Sequence, residues 1–197
     1  MKVFGKVFGK VFYKTLFMGV ASLISVTSIA NPSRVLIIRH AEKPTNGADD
    51  GLSPRGFDRA QALTKLFQRQ PALAVFGLPV VIYAFKYVPG STSHRGVQTA
   101  EPLASSLGQE VDMSFLPTDT TQLAQKIRDT LSYNHKTVMV VWKHSEMQAL
   151  AQSLGVQNAP AWNANVFDRI WQIDYNNFGQ IISFKDLPQK LLQGDSQ

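Results

Sequence analysis

The chain has 197 residues, 44% of them hydrophobic and 17% charged, which fits a single globular domain and excludes a disordered or collagen-like chain. It contains no cysteine, which removes disulfides, thiolate catalysis, Cys-ligated zinc and a lipid anchor on cysteine. The net charge of +6 does not point to nucleic acid: four of the twenty basic residues (Lys2, Lys6, Lys10 and Lys14) open the chain and all fourteen acids lie beyond them, so the remainder carries about +2.

Residues 1–30 read as an export signal. The four lysines precede an apolar run over 16–29, and Ser28-Ile29-Ala30 offers small residues where a signal peptidase cuts, so cleavage is expected after Ala30. A retained membrane anchor is disfavoured, because Ser22, Ser25, Thr27 and Ser28 interrupt a run that is already shorter than the ~20 apolar residues of a span. The mature domain is then 31–197, periplasmic or secreted, with no stable membrane anchor. Its oligomeric state is not legible in the sequence.

Arg34–Arg39 is a short, β-branched apolar run, expected to be a parallel strand covered on both faces. A polar loop over 44–51 follows. Ser53 and Pro54 then supply an N-cap and first-turn proline for a helix with Phe57, Ala60, Leu63 and Phe67 on its buried stripe. A second strand is expected at 79–85 and, after a glycine- and serine-containing loop, a helix on Val97, Ala100, Ala104 and Leu107, closed by Gly108. A third helix is placed at 120–131 on Leu123, Ala124, Ile127 and Leu131, and Thr137–Trp142 is the clearest β-branched run. Another helix begins near Ser145 and ends at Gly155. In the tail, Trp171, Ile173 and Tyr175 alternate with polar residues, and a turn at 176–179 leads into 181–184, an antiparallel edge hairpin.

This alternation predicts a three-layer α/β/α sandwich with a mainly parallel central sheet. Ligands bind such sheets at the carboxyl ends of the strands, which singles out Arg39 and His40 after one strand and Lys143 and His144 after another.

The segment Arg39-His40-Ala41-Glu42 resembles the Arg-His signature of the histidine phosphatase superfamily, also called phosphoglycerate mutase-like, in its Arg-His-Ala-Glu variant. Leu52-Ser53-Pro54-Arg55-Gly56 with Arg59-Ala60, then Arg95-Gly96-Val97-Gln98-Thr99-Ala100, and the strand leading to His144 resemble the family's further motifs, in the family's order and over most of the mature chain. The resemblance implies a phosphoglycerate mutase-like fold and a phosphatase working through a phosphohistidine on His40. It implies Arg39 and Arg95 as phosphate-binding residues and His144 as the second histidine, which binds the phosphoryl group. These residue types suit the chemistry: a neutral imidazole attacks phosphorus, and guanidinium forks hold the charge of the transferring group.

A leaving oxygen also needs a proton. Here the chain departs from the family, because Ser145 stands where some members carry Asp directly after the second histidine, and no mid-chain Glu matches the donor of the others. Glu146 is the first candidate, with Asp112 and Asp119 behind it. An acid in a first helical turn also serves the helix dipole alone.

Blander readings stand beside each assignment. Arg39 and His40 are costly to end an apolar central strand without a task. A cation such as Arg95 at a helix start is unfavourable unless an anion sits there. His94, Lys43 and Lys143 are secondary pocket candidates, Glu42 is expected to orient the first loop through Arg55 or Arg59, His135 reads as a surface turn, and Trp142, Trp162 and Trp171 as packing.

The function expected is an exported, metal-independent phosphomonoesterase with no cofactor, acting on a small phosphorylated substrate or a phosphoprotein. Two alternatives are a phosphate- or protein-binding pseudophosphatase and a phosphomutase, the latter disfavoured by export away from cytosolic metabolites. The loops at 44–51 and 86–93 are the expected specificity elements.

Overall fold

The computed structural model describes residues 1, 2, 5, 31–45 and 50–197. Apart from residues 1, 2 and 5, the export segment expected at 1–30 lies outside the described residues, as does the middle of the 44–51 loop.

Six strands form one sheet: β1 (Arg34–Arg39), β2 (Pro79–Ala84), β3 (Val111–Asp112), β4 (Thr137–Trp142), β5 (Arg169–Tyr175) and β6 (Ile181–Pro188), in the order β3-β2-β4-β1-β5-β6. The first four are mutually parallel, and β5 and β6 add an antiparallel pair. Successive side chains of a strand face opposite sides, so β1 and β4 feed two cores. Val35, Ile37, Val138 and Val140 pack on α4 (Thr120–Asp129) and α5 (His144–Ser153). Leu36, Ile38, Met139 and Val141 pack on α3 (Arg95–Ser106) and on the segment formed by α1 (Pro54–Ala62), a 3-10 turn at Leu63–Lys65 and α2 (Leu66–Arg69). These are the three expected layers.

Several local expectations change. The first helix is broken into α1, a 3-10 turn and α2, and Phe57 is exposed. Leu131 is also exposed, because α4 ends at Asp129 and Leu131 opens a 3-10 turn. The two-residue β3 was too short to show a pattern. In β5 the polar positions are buried too: Asp174 receives two hydrogen bonds from Arg34 and one from Gln172, so the alternation marks an internal polar network in place of a solvent face.

Candidate active site

Because β1 and β4 are adjacent and in register, with Arg39 opposite Trp142, the residues that follow each strand emerge together. The His40 N–H donates to the Trp142 carbonyl at 3.1 Å, carrying the ladder one step past β1. His40 and His144 thereby line one cleft of about 450 Å³, along with Arg39 and Arg95. The sequence placed these four residues at three separate points, Arg39 and His40 at the end of β1, Arg95 at the start of α3 and His144 after β4, and the fold brings them together.

His40 is buried, and its Nδ1 lies 2.7 Å from the Ala41 carbonyl oxygen. A carbonyl only accepts, so Nδ1 carries the proton and Nε2 presents a lone pair. Burial, and then the charges of Arg39 and Arg95 with His144 beyond them, lower its pKa to about 3 against the opposing Ala41 bond. The imidazole is therefore neutral at physiological pH, the state a nucleophile requires.

Arg39 is 1% exposed and held from one side only. Its Nη1 donates to the carbonyls of Ala164 and Val166, and its guanidinium stacks 3.7 Å from the centre of the Phe167 ring. Nε and Nη2 have no hydrogen-bond partner among the described residues. Those two nitrogens form the edge of the guanidinium that pairs with two oxygens of an oxyanion, and leaving them dry without one is costly. Burial, then neighbouring Arg95, lowers the Arg39 pKa to about 10, while Glu42 opposes the shift. Two cations held this close are a place for an anion.

Arg95 is the first residue of α3, where the helix dipole also favours negative charge. The motif around it is structural glue. Thr99 Oγ1 donates to the Arg95 carbonyl at 2.6 Å and accepts from the Ala41 N–H at 2.9 Å, and Gln98 Oε1 accepts from the Leu52 N–H. Gly96 is required because a Cβ there would come within 2.8 Å of the Phe85 ring.

Glu42 pairs with both expected arginines: Arg59 Nη2 at 2.8 Å, and Arg55 Nε at 3.3 Å. Arg59 in turn binds Asp195 at 2.8 Å, near the C-terminus. Gly56 lets α1 approach this loop, since a Cβ would lie 2.3 Å from the Glu42 carbonyl oxygen.

His144 opens α5 one residue earlier than expected, with Lys143 at the N-cap position. Its Nδ1 is buried without a hydrogen-bond partner among the described residues. Burial first, then Arg39, Lys43 and Lys143, lower its pKa, with Glu146 opposing.

The proton-donor candidates fare differently. Glu146 is close enough to influence His144 but does not line the cleft, and its Oε1 accepts a hydrogen bond from the Ser145 hydroxyl. Asp112 and Asp119 serve turns, accepting from the Ser114 and Leu116 N–H groups. Among the described residues, the carboxylate that does line the cleft is Asp50, which is exposed. It sits beside Asp49 in a patternless loop, so no sequence signal marked it. Gly90, Ser91, Thr92 and Ser93 also line the cleft, and Lys43 and Lys143 are its exposed cations, at the rim. His94 does not line the cleft and packs on Tyr87. His135 is an exposed turn residue, and all three tryptophans are buried. Among the described residues, no three or more His, Asp and Glu side chains are grouped to hold a metal ion.

No protein-family model matches the sequence, and no curated protein matches it significantly. Solved structures do match. The protein histidine phosphatase SixA, complexed with tungstate, superposes with a TM-score of 0.58 at 16% identity, covering 79% of this chain and 97% of that one. Phosphoserine phosphatase from Entamoeba histolytica, in complex with 3-phosphoglyceric acid, gives 0.55 at 16% identity over 81% and 99% of the two chains. YhfR from Bacillus stearothermophilus gives 0.54 at 15% identity over 83% and 98%. With its parallel sheet, antiparallel edge pair and strand-end cleft, the chain has the fold of the histidine phosphatases.

Proposed function

We propose that this chain is an exported, metal-independent phosphatase that transfers a phosphoryl group to His40 and then to water. The observation that carries the reading is the His40 imidazole, neutral and with Nε2 unprotonated, in one cleft with Arg39, whose Nε and Nη2 are unpartnered among the described residues, and with Arg95 and His144. Nε2 attacks phosphorus, and the ring's positive charge is eased by the bond from Nδ1–H to Ala41. The Arg39 edge and Arg95 hold the equatorial oxygens, and His144 contributes a further contact to the group in flight. Water then attacks the phosphohistidine. Two of the structural neighbours are phosphatases by name, which supports this class of reaction. Export rests on the order of lysines, apolar run and small residues before Asn31.

Rapid quench with a 32P-labelled phosphomonoester is expected to trap acid-labile phosphate on the protein. His40→Ala is expected to lose that label and at least roughly a thousandfold in kcat/KM. Full activity in His40→Ala, or no label during turnover, overturns the mechanism. A binding protein without turnover is favoured by one observation, the position of Glu146 off the cleft. It predicts vanadate binding with no hydrolysis across a substrate panel.

A further inference from the structure

The charges of the cleft are arranged in two tiers. At the floor, buried Arg39 and partly buried Arg95 flank His40, and both depress its protonation. At the rim, Lys43 and Lys143 are exposed, line the same cleft, and act electrostatically on His144. One phosphoryl dianion satisfies the floor. Being exposed, the rim lysines are the cations of the cleft most open to the leaving group of a substrate seated on His40. Gly90 and the hydroxyl residues Ser91, Thr92 and Ser93 line the same cleft, and its apolar lining, Phe85 and Pro117, is buried, which leaves little apolar surface for a hydrocarbon leaving group.

A second observation concerns the proton. An alkoxide leaving group requires a general acid held within hydrogen-bond reach. Among the described residues the one carboxylate that lines the cleft is Asp50, exposed to solvent, and Glu146 stays outside it. A weakly basic leaving group removes that requirement, and an anionic one is stabilised by the rim lysines.

Resting on the phosphatase reading above, we propose that the substrate is a phosphoanhydride, the terminal phosphate of a diphosphate, with Lys43 and Lys143 binding the phosphate that leaves. The His40 Nε2 lone pair forms the N–P bond to the terminal phosphorus. The bond from that phosphorus to the bridging oxygen breaks, and its electron pair stays on the oxygen of the departing monophosphate between the two ammonium groups. Water then forms an O–P bond as the P–N bond breaks and its pair returns to Nε2. A diphosphate trianion and water thus become a monophosphate dianion and dihydrogen phosphate, with both protons of the water kept on the released phosphate.

The test is steady-state kinetics on the mature protein in EDTA. Four probes are compared: a nucleoside diphosphate, an isoprenyl diphosphate, glycerol 2-phosphate, and p-nitrophenyl phosphate, which has a good leaving group but no second anion. At least one diphosphate is expected to exceed glycerol 2-phosphate by tenfold or more in kcat/KM, and the ratio between the two diphosphates identifies the carrier. The Lys43→Ala/Lys143→Ala double variant is expected to lose tenfold or more on that diphosphate and under threefold on p-nitrophenyl phosphate. Asp50→Asn is expected to leave the diphosphate rate within threefold. The inference alone is overturned if glycerol 2-phosphate is the better substrate, if the lysine variant lowers both rates alike, or if Asp50→Asn abolishes diphosphate cleavage. Absence of hydrolysis of every probe, p-nitrophenyl phosphate included, overturns the phosphatase reading as well.

Discussion

His40 shows how one side chain carries both chemistry and a stability cost. Its pKa in the folded chain is near 3, below the ordinary value of about 6.5 for an unfolded histidine. Between those two values the unfolded chain binds the extra proton, so stability rises with pH across that window and falls as the medium is acidified. Urea unfolding between pH 4 and 7 is expected to show this slope, and His40→Gln to flatten it. An unchanged slope means that the imidazole is not held neutral by burial. The same depressed pKa places protonation of His40, the proposed nucleophile, far below neutral pH, so an acid limb in kcat/KM above pH 5 would belong to another group. Arg39 was legible as a cleft residue from its place at a strand end. Its one-sided anchoring on Ala164, Val166 and Phe167 was not, because those partners come from a loop without a pattern.

Among the elements, α3 does the most to hold the site together. Its first residue is Arg95, and one turn later Thr99 ties that residue's carbonyl to the amide after His40. Thr99→Val keeps the shape and removes the acceptor, leaving the buried Ala41 N–H unsatisfied at a cost of about 1–3 kcal/mol. Denaturant unfolding is expected to register that loss, and kcat to fall more than KM rises, because the His40 loop loses its anchor. A sequence pattern displays Gln98-Thr99-Ala100 as a string, and only the fold shows that Thr99 and Gln98 bind the two ends of the loop between β1 and α1, at Ala41 and Leu52. Strand β5 gives the opposite lesson. Alternation in a strand ordinarily marks a half-exposed face, but here the Arg34–Asp174 pair lets polar side chains be buried, and periodicity is blind to a partner that lies far off in the chain on the neighbouring strand.

Across the whole molecule, the C-terminal segment closes on the active-site loop. Asp195 is 6% exposed, accepts from the Leu191 and Leu192 N–H groups, and binds Arg59, which holds Glu42 two residues beyond His40. Arg59 and the backbone bonds together keep the Asp195 carboxyl below its usual range despite burial. Arg59 keeps Glu42 when Asp195 is removed, so what is lost is one set of charged hydrogen bonds and the acceptor of two amides, at a cost of about 1–3 kcal/mol. Asp195→Ala is therefore expected to lower stability by that order in chemical denaturation and to reduce kcat several-fold through the Glu42 loop. Asp195→Asn, which keeps acceptors for the two amides, is expected to lose less.

What the sequence determined by itself was local and periodic: the strand and helix order, hence the three layers, and the residues that end strands or begin helices, hence Arg39, His40, Arg95 and His144. These are legible because burial imposes a period on apolar residues and strand ends in such sheets face the ligand. The tertiary structure decided which strands are neighbours, that His40 carries its proton on Nδ1, which edge of Arg39 is unpartnered, and that Asp50, not Glu146, lines the cleft. Those facts depend on contacts between residues distant in the chain and on the direction of single side chains, and neither leaves a period in the sequence.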